Sequence, residues 1–168
     1  MRFLVPFLVA FVWLGASAEK LPEKFYGKFS LDYEDNVDQY LTAMGYNNFV
    51  RKMILYTPVT KIFAKANGDK FNYMLLKGSN QFAYPNISLG KEFNGEGIDN
   101  TQRKITFYVK GGKFYEKHVP FYTDRLAKAA EYTYFFDYFN GQEYLVVKME
   151  YERINAFRYF MMQLIISV

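Results

Sequence analysis

The side chains able to do covalent or metal chemistry are few. The chain has no cysteine and His118 is its single histidine, so neither a Cys/His zinc site nor a second metal-binding imidazole is on offer. No Gly-x-Ser-x-Gly turn presents a nucleophile, and acidic pairs are too common to mark a general acid and base. Gly95-Glu96-Gly97 opens like a dinucleotide fingerprint, but no third glycine follows, and the spacing predicts a turn. These residues point to no enzyme, cofactor or metal. They do offer a binding residue near the end of the chain. Alternation places Ile154, Ala156, Arg158 and Phe160 on one face of a strand, with Arg153, Asn155, Phe157 and Tyr159 on the other. The first face is apolar apart from its arginine. A guanidinium keeps its charge, so it needs a partner when buried, and its planar fork suits a carboxylate. Arg158 is the candidate anchor for an acidic ligand. The alternatives are an internal Asp or Glu that pairs with it, or a bulge that turns it outward.

Such a face must belong to a set of strands. Phe25 to Tyr33 opens as one, with Phe25, Gly27, Phe29, Leu31 and Tyr33 on a common side. From Asp35 the period changes. Val37, Tyr40, Leu41 and Met44 are spaced as one helix face, with Asp35 or Asn36 as cap and Gly45 as stop. A second helix starts at Asn47 or Asn48, with Phe49, Val50, Met53 and Ile54 on its apolar side, and Pro58 closes it. Strands are then expected at 59–66, 71–77, 81–88, 91–93, 103–110, 113–119, 132–139, 144–150 and 153–160. Asn67-Gly68, Gly78-Ser79-Asn80, Gly95-Glu96-Gly97, Gly111-Gly112 and Asn140-Gly141 separate them. About ten strands in up-and-down order, interrupted once by two helices, form an all-β antiparallel barrel. A barrel of that size leaves an internal cavity.

Composition agrees. Aromatic residues make up 21% of the chain, a bias toward half-buried strands. Arg2, the apolar run Phe3 to Leu14 and the small residues Ala16-Ser17-Ala18 read as a signal peptide over 1–18, with a mature domain over 19–168. The apolar run is shorter than the roughly 20 residues a membrane-spanning helix needs. Removal of Arg2 leaves 20 basic against 17 acidic residues, scattered without a basic run, so nucleic-acid binding has no electrostatic footprint. A secreted domain without disulfides must be held by its hydrophobic core.

The run Gly27-Lys28-Phe29-Ser30-Leu31, then Asn36-Val37-Asp38-Gln39-Tyr40-Leu41 and Met44, resembles the signature of the intracellular fatty-acid-binding proteins, members of the calycin family. Gly45 with Arg51-Lys52, Leu89-Gly90-Lys91-Glu92-Phe93 and Asp99 to Phe107 resemble later stretches of that family. With a signal peptide, the chain is most similar to the secreted fatty-acid-binding proteins of nematodes. The resemblance covers nearly the whole mature chain. It implies a ten-stranded barrel with a helix-turn-helix lid between strands 1 and 2, carrying a fatty acid or a similar lipid such as retinol in extracellular fluid. The family holds the ligand carboxylate with an Arg-x-Tyr motif. Here the run is Arg158-Tyr159-Phe160, so Phe160 stands in the tyrosine's place. No second arginine occurs between Leu126 and Glu152, and Tyr134, Tyr138 and Lys148 are the substitutes on offer.

Other features are expectations of lesser weight. Tyr40, Leu41 and Phe82 line the ligand entry or simply pack the helices down. Arg51 and Lys52 meet anionic membranes transiently or form a solvated face. The 120–131 connection favours a helical turn over 124–130, and with the apolar tail 161–168 and the outward Phe157 and Tyr159 it is a candidate protein contact. Asn86-Ile87-Ser88 is a glycosylation sequon. The competing reading is a barrel scaffold, its cavity filled by its own aromatics, serving as a structural or interaction module.

Overall fold

The computed structural model describes residues 20–121 and 128–164. The expected leader 1–18, the core of the 120–131 connection and the tail residues 165–168 lie outside them. After a 3-10 turn at Glu23–Phe25 come β1 (Gly27–Asp35), α1 (Val37–Ala43), α2 (Asn48–Tyr56), β2 (Val59–Lys65), β3 (Phe71–Lys77) and β4 (Asn80–Ile87). β5 (Glu92–Glu96), β6 (Gln102–Lys110), β7 (Lys113–Pro120), β8 (Ala130–Phe139), β9 (Gln142–Tyr151) and β10 (Ile154–Met162) complete the chain. The sheet order is β4-β3-β2-β1-β10-β9-β8-β7-β6-β5. Chain neighbours pair except across the β4/β5 gap, and β1 pairs with β10, so ten antiparallel strands make a nearly closed barrel.

Two details of the expected pattern change. Gly95 and Glu96 are not a turn but the end of β5, and the turn follows, where Asn100 N–H donates to Gly97 O at 3.1 Å. Glycine is required there by close approach: a Cβ on Gly95 would lie 2.6 Å from Ile105 Cδ1, and one on Gly97 would collide with the Arg103 side chain. The second change lies in β1. Its register with β10 slips between Leu31 and Tyr33. One extra residue moves every later side chain to the opposite face. Tyr33 therefore does not share the side of Phe29 and Leu31. It faces out, where its ring stacks on Tyr159 with centroids 4.1 Å apart, and Glu34 turns inward opposite Arg158.

The barrel is packed unevenly along its axis. Phe25, Phe63, Phe71, Phe107 and Phe114 fill the end away from the helices, with ring centroids at 4.9 Å for Phe25/Phe114 and 5.4 Å for Phe107/Phe114. At the other end α1 seats Val37, Tyr40 and Leu41 against the sheet, all buried. Asn36 does not cap α1 through its side chain; it sits in the left-handed region and its amide donates to Asn155 O at 2.8 Å. α2 is capped as expected, Asn47 Oδ1 accepting from Val50 N–H at 3.0 Å. Its apolar side is narrower than the sequence suggests. Ile54 is buried whereas Phe49 is 78% exposed, because α2 spans the mouth of the barrel and has no sheet surface under its first turn. Of the 124–130 turn, Ala130 belongs to β8.

Candidate functional site

Between the aromatic packing and α2 lies a cavity of about 310 Å³. Met53, Ile54 and Thr57 of α2 and Gly78, Ser79 and Asn80 of the β3–β4 turn border it, and Leu75, Ile98, Val147 and Met149 give it apolar walls. Lys61, Glu116, His118 and Arg158 make the rest of its surface polar. The interior is thus only partly filled by its own aromatics. A volume of this order sits at the small end of ligand pockets, which run from about 300 Å³.

The polar part is built by alternation. Lys61 lies between Val59 and Phe63 on the inward phase of β2, and Glu116 between Phe114 and His118 on that of β7. Lys61 Nζ reaches Glu116 Oε2 at 3.0 Å and donates to the hydroxyls of Tyr73 at 3.0 Å and Tyr134 at 2.7 Å. Tyr134 Oη donates to the same carboxylate, and His118 Nε2 meets Glu116 Oε1 at 2.7 Å. Burial alone would raise the Glu116 carboxyl, but Lys61, His118 and Tyr134 together hold it well below the usual carboxylate range. Burial pushes the phenols of Tyr73 and Tyr134 well up, with Glu116 adding to it. These two tyrosines stay neutral donors and acceptors.

Arg158 faces inward as the alternation of β10 predicts, and it is 7% exposed. It does not stand free: its Nε lies 2.6 Å from Glu34 Oε1. That ion pair lacks hydrogen-bond alignment, and Arg158 Nη2 has no partner among the described residues. Burial raises the Glu34 carboxyl while Arg158 opposes the rise. The internal acid that sequence left as an alternative is therefore present, brought in by the β1 bulge.

Near the mouth a second arginine braces the walls. Arg103, nearly inaccessible, meets Asp99 Oδ2 at 2.8 Å, Lys128 O at 2.7 Å and Thr101 Oγ1 at 3.0 Å. Burial would raise the Asp99 carboxyl, but Thr101, Arg103 and Tyr46 hold it down at about 2. Lys77 Nζ donates to Gly97 O at 2.9 Å and to Asn100 Oδ1, tying β3 to the same turn.

The other sequence candidates are placed as follows. Phe160 is fully buried opposite Leu145 and Leu31 and does not border the cavity. Tyr40 and Leu41 are buried under α1 and hold that helix to the barrel; neither borders the cavity. Phe82 is half-buried on β4, next to the mouth residues Gly78 to Asn80, with Lys77 Nζ 5.9 Å from its ring centre. Tyr138 keeps the inward phase of Tyr134 but sits by the β8–β9 turn, 70% exposed and away from the cavity. Tyr134 instead supplies an interior hydroxyl, through Lys61 and Glu116. Lys148 is on the outer face and pairs with Glu150 at 2.9 Å. Arg51 is engaged by Asp38 at 2.7 Å. Tyr159 and Phe157 face out, Tyr159 within a patch that includes Tyr33 and Tyr144. Asn86 is exposed at the end of β4 in the left-handed region. Lys61, Glu116 and Glu34 went unremarked from sequence, although charges on an apolar phase mark the first two.

No family model matches the chain. Individual proteins do. A Caenorhabditis elegans protein, fatty acid-binding protein homolog 2, is 40% identical over 158 residues, covering 92% of this chain and 95% of that one. The Ascaris suum fatty acid-binding protein homolog is 34% identical over 169 residues, 97% of this chain and all of its own. Among solved structures, As-p18, an extracellular fatty acid binding protein, superposes with a TM-score of 0.74 at 34% identity, over 86% of this chain and 100% of its own. A Schistosoma mansoni fatty acid binding protein in complex with arachidonic acid shares the fold, with a TM-score of 0.64 at 16% identity over 84% of this chain and 98% of its own. Barrel, lid and near full-length similarity agree: the chain belongs to the fatty-acid-binding protein family, alongside its nematode homologues.

Proposed function

We propose that the mature chain, after loss of residues 1–18, carries a fatty acid or a similar lipid such as retinol through extracellular fluid, and does so without catalysis. The observation that carries this reading is the internal cavity, apolar at its walls and polar around Arg158 and Lys61. The signal-like pattern of residues 1–18 supports the extracellular part, as does the extracellular character of As-p18. Ligand enters between α2 and the β3–β4 turn, where Met53, Ile54 and Ser79 form the rim, and Phe82 stands beside that path. Burial of the acyl chain supplies most of the affinity, at about 25 cal/mol per Å² of apolar surface. Arg158 orients the polar end. Tyr40, Leu41 and Phe160 serve by holding the lid and the wall in shape.

A titration of delipidated protein with a fluorescent fatty acid, displaced by oleate, methyl oleate and retinol, tests the reading. Saturable, displaceable binding with a blue-shifted signal is expected. Arg158→Gln should weaken oleate about tenfold more than methyl oleate, the size of one charge-assisted hydrogen bond. Equal losses would remove the anchoring role, and no binding by a folded protein would remove the carrier.

A further inference from the structure

The barrel wall is open along one line. β4 pairs with β3 alone and β5 with β6 alone, so two strand edges face each other across a gap. A groove of about 320 Å³ lies in that gap, bordered by Ala83, Pro85 and Asn86 on the β4 side and by Glu92, Phe93 and Asn94 on the β5 side. Tyr84 spans it from within, its Oη accepting from Glu96 N–H at 3.1 Å. Unpaired backbone groups along such edges are a template for another chain, and proteins interrupt or cover them. Pro85 interrupts β4 by removing one N–H. The next residue opens the chain's only Asn-x-Ser/Thr sequence, Asn86-Ile87-Ser88.

A bulge places Asn86. Tyr73 pairs with Tyr84 and Phe71 with Ile87, so β4 has one residue more than β3 between these pairs. Tyr84 and Ile87 both keep to the inner side, where the Tyr84 ring stacks on Tyr73 and Ile87 is buried. Pro85 and Asn86 are both left exposed. The bulge is held through the Asn86 backbone N–H, which donates to Asn72 Oδ1 at 2.9 Å. A substituent on the side-chain amide leaves that contact intact. The left-handed backbone alone explains an asparagine here, for Asn36, Asn100 and Asn140 share it. The side chains of Asn36 and Asn100, however, are tied to Asn155 O and Lys77 Nζ. None of those three asparagines has a hydroxyl residue two positions on. At Asn86 an exposed amide, a serine at the right spacing and an open groove coincide.

We propose that Asn86 carries an N-linked oligosaccharide whose first sugars lie over the β4/β5 gap. The donor class is an oligosaccharide linked to a lipid pyrophosphate. Asn86 Nδ2 bonds to C1 of its terminal sugar as the bond from C1 to the pyrophosphate oxygen breaks. The electron pair leaves with the pyrophosphate, and the amide nitrogen gives one proton to the transferase. Lys91 and Asn94, both exposed beside the groove, supply donors and an acceptor for sugar hydroxyls. A bulky hydrated group at that place keeps the strand edge of a second copy from pairing with β4 or β5. This inference rests on the extracellular part of the carrier reading, because only a chain that enters the secretory route meets the transferase.

The full chain, expressed in insect cells, tests it by the mass of the protein recovered from the medium. Most of the secreted wild type should carry one glycan, and enzymatic release in heavy-oxygen water should label the peptide that contains Asn86. Ser88→Ala should abolish the added mass and Ser88→Thr should retain it. Asn86→Gly, which suits the left-handed backbone, should abolish it too and leave the melting temperature nearly unchanged. In hydrogen exchange the amides of Glu92–Glu96 should exchange severalfold more slowly in the glycosylated protein than in Ser88→Ala, and those of β8 equally in both. Folded protein in the medium without added mass would overturn the proposal. Equal exchange along β5 would overturn the placement of the sugars over the gap. In both cases the carrier reading still stands. Folded protein kept inside the cell with residues 1–18 attached would overturn the extracellular reading and this inference with it.

Discussion

Two carboxylates decide how the interior arginines behave. Glu34 occupies Arg158 Nε, so an ionised ligand has to share or displace it. Glu34→Gln should therefore tighten oleate about tenfold and leave methyl oleate nearly unchanged, read by displacement of a fluorescent fatty acid. Asp99 acts on stability. Its carboxyl is held at about 2 in the folded chain, against an ordinary 3.8, by Thr101, Arg103 and Tyr46 acting against burial, so these contacts together contribute fully above the ordinary value. The contribution, about 2 kcal/mol, fades as pH falls from roughly 4 through 2. Thermal melts across that range should show the loss. In Asp99→Asn that part of the acid dependence should vanish, and the variant should be about 3–5 kcal/mol less stable near neutral pH, because Arg103 is left buried without its charge partner. A variant as stable as the parent would contradict the bracing role.

At the scale of elements, the two helices have different jobs. α1 is held by buried Val37, Tyr40 and Leu41, whereas α2 buries Ile54 and leaves Phe49 and Tyr56 exposed, at 78% and 80%. α2 is thus the weaker of the two and the one that borders the cavity. Asn47→Ala removes its cap, at about 1 kcal/mol. Ligand release, followed by stopped-flow transfer to vesicles, should become severalfold faster, with a small change in melting temperature. An unchanged release rate would place the exit elsewhere, the β4/β5 gap being the other break in the wall.

Much of this architecture is legible in the amino-acid sequence alone. Alternation, glycine turns and one change of period give all ten strands and both helices in order, since each signal is local. Arg158 was legible for the same reason. Its partner was not: strict alternation sends Tyr33 inward, and the single extra residue at the β1 bulge reverses that and delivers Glu34. The Lys61–Glu116 pair joins strands 55 residues apart, a distance over which a sequence carries no visible pairing signal. Phe49 misled because its spacing fits the apolar stripe of α2, while the element under that stripe is a cavity mouth. Tyr138 misled because an inward phase carries no information about how close the strand end is.

For the molecule as a whole, one end of the barrel is solid and the other hollow. The aromatic packing around Phe63, Phe107 and Phe114 supplies the core that a disulfide-free domain needs. The hollow end, between that packing and α2, is where a lipid would sit. The most direct test is an isotope-filtered NOE spectrum of the delipidated protein saturated with carbon-labelled oleate. Cross-peaks from the acyl chain to the side-chain methyl and methylene protons of Leu75, Ile98, Val147 and Met149 are predicted. Cross-peaks confined to the outer rings of Tyr33, Tyr144 and Tyr159 would contradict the account, for they would put the lipid on the barrel's surface and leave the cavity without a role.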